Sequence, residues 1–345
     1  MNTNMTTNST QTNIDLHSVV YIGNDTQTFE ELRKLADLVG VSVAHVSRSD
    51  FGTGVLRFSS IGCEDGFVEA SFHELFAPYF AKGTVRLNCR DDAADVLELM
   101  VAVGSTVRGR VVGVIGMQGG SGASTLSALI ARTLARREND VSLVDMDSSS
   151  VGIDMILSQV DSTGKRWADI RGRGAVLAGR LRDCLIPWHG VSVLSADHRG
   201  GVPLDNDQGI KVIAALAQVH AWTVLDLPRS VIAPTSPEAT WLEWCDYIVL
   251  VTKSSDLAVE QTRIKLQHVG HGCPVAVVVS EARSRNHLAH IAQTIGSARV
   301  YNLRQQRNYA GDLEHGLAPG DRSRSGTVND VKTLCDRFLS EADES

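Results

Sequence analysis

The stretch GVIGMQGGSGASTL, residues 113–126, decides how this chain is read. It overlaps the end of an apolar run at residues 111–115 and opens a helical pattern in which Leu126, Ile130 and Leu134 recur every four residues. Arg136 and Arg137 close that pattern at the end where the helix dipole favours cations. Between strand and helix lie Gly119, Gly120, Ser121 and Gly122, and the glycines let consecutive N–H groups face outward with no Cβ in the way. Such a nest at a helix N-terminus binds anions. Ser124 and Thr125 fall in the first turn, where a hydroxyl can meet Mg²⁺ or a phosphate oxygen. A plain strand-to-helix turn with a serine cap has the same local pattern, so the rest of the chain must decide.

Two further strand ends bear on it. VSLVDMD, residues 141–147, delivers Asp145 and Asp147 to a sheet edge, and WTVLDLP, residues 222–228, delivers Asp226. In open parallel sheets, ligands bind beyond the carboxyl ends of strands. A glycine loop, a D-x-D and a D-x-P at three such ends form one phosphate-and-magnesium chemistry, with Asp226 placed to hold Mg²⁺ through water. A dinucleotide fold of the oxidoreductase type fits less well. Gly120 and Gly122 could begin G-x-G-x-x-G and Asp145 could supply its acid, but Thr125 stands at the third glycine and Asp226 has no role there.

The surroundings agree with an α/β protein. Apolar runs at residues 191–195, 222–226, 247–252, 275–280 and 299–301 alternate with helical segments. YIVLV and VAVVV are apolar on both faces, as in a parallel sheet covered on both sides. Upstream, VVYIGN at 19–24, a helical pattern ending at Gly40, VSVAHV at 41–46, TVRLNC at 84–89 and AADVLELMVAVG at 93–104 suggest a separate small α/β domain. Residues 1–13 are too polar to order themselves. The expected organisation is a disordered tail at 1–13, a small domain at 14–105 and the main domain at 106–345.

At 345 residues with 43% hydrophobic and 21% charged residues, the chain can bury a large core. A net charge of −7 gives no general attraction to nucleic acid or anionic membranes. Six scattered cysteines without a C-x-x-C pair argue against a disulfide framework or zinc site. No apolar segment approaches the ~18 residues needed to cross a bilayer, and a cytoplasmic protein is expected.

Taken together, these residues resemble the deviant Walker A ATPases of the MinD/ParA type, whose loop reads K-G-G-x-G-K-[ST]-[ST]. Here the loop is Gln118-Gly119-Gly120-Ser121-Gly122-Ala123-Ser124-Thr125, so both lysines are replaced. Asp145-Met146-Asp147 and Asp226-Leu227-Pro228 resemble the family's D-x-D and D-x-P. LVTKSSDLAVEQT, residues 250–262, is similar to the stretch before the helix that lines the adenine pocket. The family's asparagine at the end of the next strand is Ser280 here. The resemblance is closer to the CpaE/TadZ-like branch, whose actinobacterial members are labelled septum site-determining proteins. It rests on Gly119–Thr125, on DLPR at 226–229, on RW-x-D at 166–169 and on NLRQQRNYAGDLEHGLAPG at 302–320.

The resemblance implies a P-loop fold with a mostly parallel sheet and helices on both faces, preceded by a degenerate receiver-like domain. It implies ATP and Mg²⁺ as ligands, with Gln118 through Thr125 and Asp145 around the nucleotide and Ser124 and Asp226 at the metal. Asp147 and Arg229 are the candidate catalytic groups. It also implies a homodimer and protein partners in septum placement or in a pilus or secretion machine, with no specific nucleic acid. A lysine–phosphate hydrogen bond contributes about 1.5–3 kcal/mol, so losing one weakens ATP binding by about 10- to 100-fold. In the transition state such a charge is worth about 10²–10³ in rate. Binding is therefore expected to survive better than hydrolysis, and a scaffold with a vestigial pocket is the alternative. The C-terminal segment puts Val331, Leu334 and Phe338 on one face but ends SEADES, which suits a docked helix and not direct lipid insertion.

Overall fold

The computed structural model describes residues 17–46, 54–72, 84–104, 108–137, 139–170, 176–203, 206–269, 272–297, 299–306 and 308–343. The expected disordered tail at 1–13 lies outside them. Two compact units divide the chain between Val107 and Arg108.

The first unit contains β1 (His17–Ile22), α1 (Thr26–Val39), β2 (Val43–His45), β3 (Gly54–Ser59), β4 (Phe67–Phe72), β5 (Val85–Asn88) and α2 (Ala93–Gly104). Its sheet has the order β2-β1-β3-β4-β5. That is the order of receiver-like doubly wound sheets, and β1 pairs in parallel with β2 and β3. The last two pairings are antiparallel, however, so the unit departs from an all-parallel receiver sheet. A short turn through Gly62 and Gly66 links β3 to β4, where a parallel pair needs a helical crossover. β3 ends on Ser59, so no carboxylate stands there. Asp25 caps α1, accepting from the Gln27 N–H at 2.9 Å and from the Thr28 hydroxyl.

The second unit is built on β6 (Arg110–Gly116), α3 (Ala123–Ala135), β7 (Val141–Asp145), α4 (Ala178–Cys184), β8 (Ile186–Trp188), β9 (Val191–Leu194), α5 (Asn206–Val219) and β10 (Trp222–Leu227). It continues through β11 (Tyr247–Lys253), α6 (Asp256–Leu266), β12 (Val275–Ser280), α7 (Arg285–Ile295), β13 (Val300–Leu303), α8 (Tyr309–Glu314) and α9 (Gly326–Asp343). The sheet order is β13-β12-β11-β6-β10-β7-β9-β8, parallel throughout except for the edge strand β8. Successive strand residues alternate between two cores. Val111, Ile115, Leu225, Ile248 and Leu250 pack with α4, α5, α6 and α7, whereas Val112, Val114, Val224, Val249 and Val251 pack with α3 and α9. This is the helix-covered parallel sheet expected from strands apolar on both faces. In α9, Val331, Leu334 and Phe338 are buried in the second core, joined by Val328 and Cys335. Among the described residues, no helix is long and apolar enough to cross a membrane.

Candidate functional site

β6, β10 and β7 are adjacent, so the glycine loop, Asp226 and Asp145 emerge side by side at one sheet edge. Asp226 is in register with Val114 on one side and Asp145 on the other. A cleft of about 370 Å³ lies beyond that edge, lined by Gln118 through Thr125, Asp145, Asp147, Asp226 and Arg229. Every site residue expected from sequence therefore borders one space. A larger cavity of about 730 Å³ lies in the first unit. Its Asp25 is committed to capping α1, so the chemistry concentrates at the glycine loop instead.

In that loop, Gly120 and Gly122 have φ of +65° and +89°, a left-handed backbone that glycine adopts without strain. The result is a row of unpaired donors. Among the described residues, the N–H groups of Gly119, Gly120, Gly122, Ala123 and Ser124 have no acceptor, and no side chain caps α3. The first N–H paired back into the helix is that of Leu126, to the Gly122 carbonyl at 2.9 Å.

The carboxylates lie around this nest. Asp226 is 8% exposed and accepts from the Ser127 hydroxyl at 3.1 Å, with the Ser124 hydroxyl also close by. Burial, then the facing Asp145, push it up to about 7 despite those two hydroxyls. Asp145 is also raised by burial, although Ser150, Ile153, Asp147 and Ala196 all donate to its carboxylate. Asp147 is half-buried at the cleft wall and accepts from Ser149 at 2.6 Å and 2.9 Å. Such a concentration of negative charge fits a divalent cation. No three acidic, histidine or cysteine side chains among the described residues are placed to hold a metal by themselves. Ser124 and Asp226 are the residues that would hold Mg²⁺ here, where it would offset the negative charge of the carboxylates and of a bound phosphate.

The remaining motifs brace the site. Trp167 is buried and its indole N–H donates to the Asp145 carbonyl at 2.5 Å, while Arg166 pairs with buried Asp154 at 2.8 Å. Buried Arg132 on α3 donates to the Pro319 carbonyl at 2.6 Å and pairs with Asp321 at 2.7 Å, so the LAPG stretch pins the loop helix. Thr125 shares a 3.0 Å hydrogen bond with Tyr309 of α8. Arg229 is exposed and borders the cleft without an ion pair among the described residues. A second pocket of about 460 Å³ opens from Gly120 and Thr125 toward Leu129, Ser280, Leu303 and Tyr309. The sequence placed Lys253 and Tyr309 only within family-like stretches, at 250–262 and 302–320, and singled out neither, although both border this pocket.

A family model described as cellulose biosynthesis protein BcsQ matches residues 110–289, the span that carries the loop and all three carboxylates. The chain belongs to the BcsQ family. Two curated relatives, uncharacterized proteins from two strains of Mycobacterium tuberculosis, are each 33% identical over 211 residues, 60% of this chain. The chain spans 58% of the length of those relatives. Among solved structures, the MinD cell division protein of Aquifex aeolicus matches with a TM-score of 0.54 at 15% identity, over 67% of this chain and 97% of that one. A ParA family ATPase from Chlorobium tepidum gives 0.52 at 18% identity, over 66% and 98%. The MinD protein of Pyrococcus horikoshii, solved with Mg-ADP, gives 0.52 at 16%, over 68% and 97%. At these identities the likeness is one of fold, and this BcsQ-family chain has the α/β fold of MinD and ParA ATPases.

Proposed function

We propose that this BcsQ-family protein is a Mg·ATP-binding spatial regulator with slow or absent hydrolysis. Its place in the cell is the cytoplasm, and its role is to position a septum or a pilus or secretion machine through protein partners. The observation that carries the binding step is the set of N–H groups of Gly119, Gly120, Gly122, Ala123 and Ser124, unpaired among the described residues, in a cleft also lined by Asp226 and Asp145. The nest takes the phosphates, and the Ser124 hydroxyl and Asp226 hold the metal side. Mg²⁺, when bound, neutralises charge on the phosphates and on this acidic floor. The septum and pilus roles, and placement in the CpaE/TadZ-like branch, rest on the loop, DLPR, RW-x-D and LE-x-G-x-x-P-G stretches.

Slow turnover follows from charge. Asp147, at the cleft wall, is the candidate to orient a water, but the loop has no cation of its own to stabilise charge building on the γ-phosphate. Exposed Arg229 is the candidate to compensate.

The test is equilibrium binding of ATP, ADP and NAD with and without Mg²⁺, followed by single-turnover hydrolysis. Measurable Mg·ATP binding, weaker than a loop with both lysines would give, together with slow product formation is the expected result. No binding of any nucleotide at millimolar concentration would leave a scaffold with a vestigial pocket, and preferential NAD binding would favour a dinucleotide enzyme. Unchanged turnover in Arg229→Ala would remove Arg229 from the catalytic set.

A further inference from the structure

We infer that Lys253 supplies the phosphate-binding cation that the glycine loop lacks, and that Gln118 positions it. This rests on the nucleotide-binding reading above. β11 is the neighbour of β6 on the side away from Asp226, and its register pairs Val251 with Gly116. The Met117 N–H then donates to the Val251 carbonyl at 2.9 Å, so the two chains leave the sheet together. Two residues on, Lys253 is level with the start of the loop.

Its ammonium group leans over that loop. Lys253 Nζ lies 3.9 Å from where a Cβ on Gly120 would stand, beside the unpaired N–H groups. It borders the pocket shared by Gly120, Ser121, Gly122 and Thr125. Lys253 is exposed and makes no ion pair among the described residues. The neighbouring cation in that pocket, Arg304, is instead held by Asp330 at 2.6 Å. A polyphosphate seated on the loop therefore brings its oxygens within reach of the uncommitted charge of Lys253, on the β11 side of the loop.

Gln118 fixes where that charge starts from. Its Oε1 accepts from the Lys253 N–H at 3.1 Å and from the Thr252 hydroxyl at 3.3 Å, while its Nε2 donates to the Ala258 carbonyl at 3.3 Å. The carboxamide thus ties the loop to both the end of β11 and the start of α6. A lysine at 118 has no acceptor and cannot make the first two bonds. The residue that replaces one loop lysine is therefore the clamp for a lysine arriving from the next strand. Lys253 is a binding residue in this arrangement and Gln118 a positioning residue.

The test compares Mg·ATP and adenosine binding to the full chain with that of Lys253→Gln, Gln118→Leu, the double variant, and Lys253→Gln combined with Ala123→Lys. Lys253→Gln is expected to weaken Mg·ATP by about 10- to 100-fold and leave adenosine unchanged. Ala123→Lys should restore much of that loss by returning a cation through the loop. Gln118→Leu should lose less than Lys253→Gln, and the double variant no more than Lys253→Gln alone, because a clamp without its lysine has nothing to position. Equal Mg·ATP affinity in wild type and Lys253→Gln overturns the role of Lys253 while the nucleotide reading stands. Full additivity overturns the role of Gln118. Absence of Mg·ATP binding by the wild type overturns the nucleotide reading and this inference with it. Thermal unfolding confirms that each variant is folded.

Discussion

Gly122 precedes α3 at φ +89°, and a Cβ added there would meet nothing within 4 Å. Gly122→Ala is therefore strained by backbone alone, at about 1–2 kcal/mol. Urea denaturation should show that loss together with weaker Mg·ATP binding, because relief of the strain turns N–H groups out of the nest. A stable variant with unaltered affinity would separate the nest from the ligand. Asp226 presents the opposite balance, since burial raises it to about 7 against an ordinary carboxylate near 4. The folded state then holds its proton more tightly than the unfolded chain. Its contribution to stability is full at low pH and is lost as pH rises through about 7. Without Mg²⁺, Asp226→Asn should be more stable than wild type at pH 8 and show a flatter stability profile between pH 5 and 8. The same variant should lose the dependence of ATP binding on Mg²⁺. This is the usual opposition between a strained site and a stable fold.

At the scale of elements, α9 tests how the apolar face of the C-terminus is used. Phe338 is 3% exposed and packs on Tyr247 with ring centroids 5.2 Å apart, so Phe338→Ala should destabilise the chain by about 3–5 kcal/mol in denaturant titrations. With that face consumed, the wild type should not co-sediment with anionic lipid vesicles, and co-sedimentation would show that α9 undocks. The docking of α9 was legible in the 3-4 spacing of Val331, Leu334 and Phe338, as the central strands were legible in apolar runs with no polar face. β8 spans only Ile186–Trp188, and β3 and β4, though six residues each, interleave Arg57, Ser59, Glu69 and Ser71 with their apolar residues, so no apolar run marked them out. The site divides in the same way. Asp145, Asp226 and the loop announce themselves by motif, whereas Lys253 is brought level with the glycine loop by strand register, which a linear pattern does not contain.

For the whole molecule, the loop, the carboxylates, Lys253 and the sheet that frames them all belong to the unit Arg108–Ser345, whose two cores are closed by its own helices. A fragment of residues 108–345 should therefore fold and bind Mg·ATP as the full chain does, with isothermal titration as the check. Association of two copies is a separate matter. The resemblance to MinD/ParA-type ATPases implies that a lysine at position 118 would act across a nucleotide sandwiched between two subunits. Here the Gln118 side chain at that position is bonded to Lys253 and Ala258 of its own chain and carries no charge. Nucleotide should then favour the dimer only modestly, since it must act through the phosphates and the surface around Arg229 without a bridging cation. Sedimentation velocity of the full chain should show a larger dimer fraction with Mg·ATP than with Mg·ADP, with a shift of less than about tenfold in the dimerisation constant, within the usual range of coupling between two sites. An unchanged distribution would mean that the nucleotide acts within one subunit, and a wholly dimeric state with Mg·ATP would mean that Gln118 releases its own chain to contact the other.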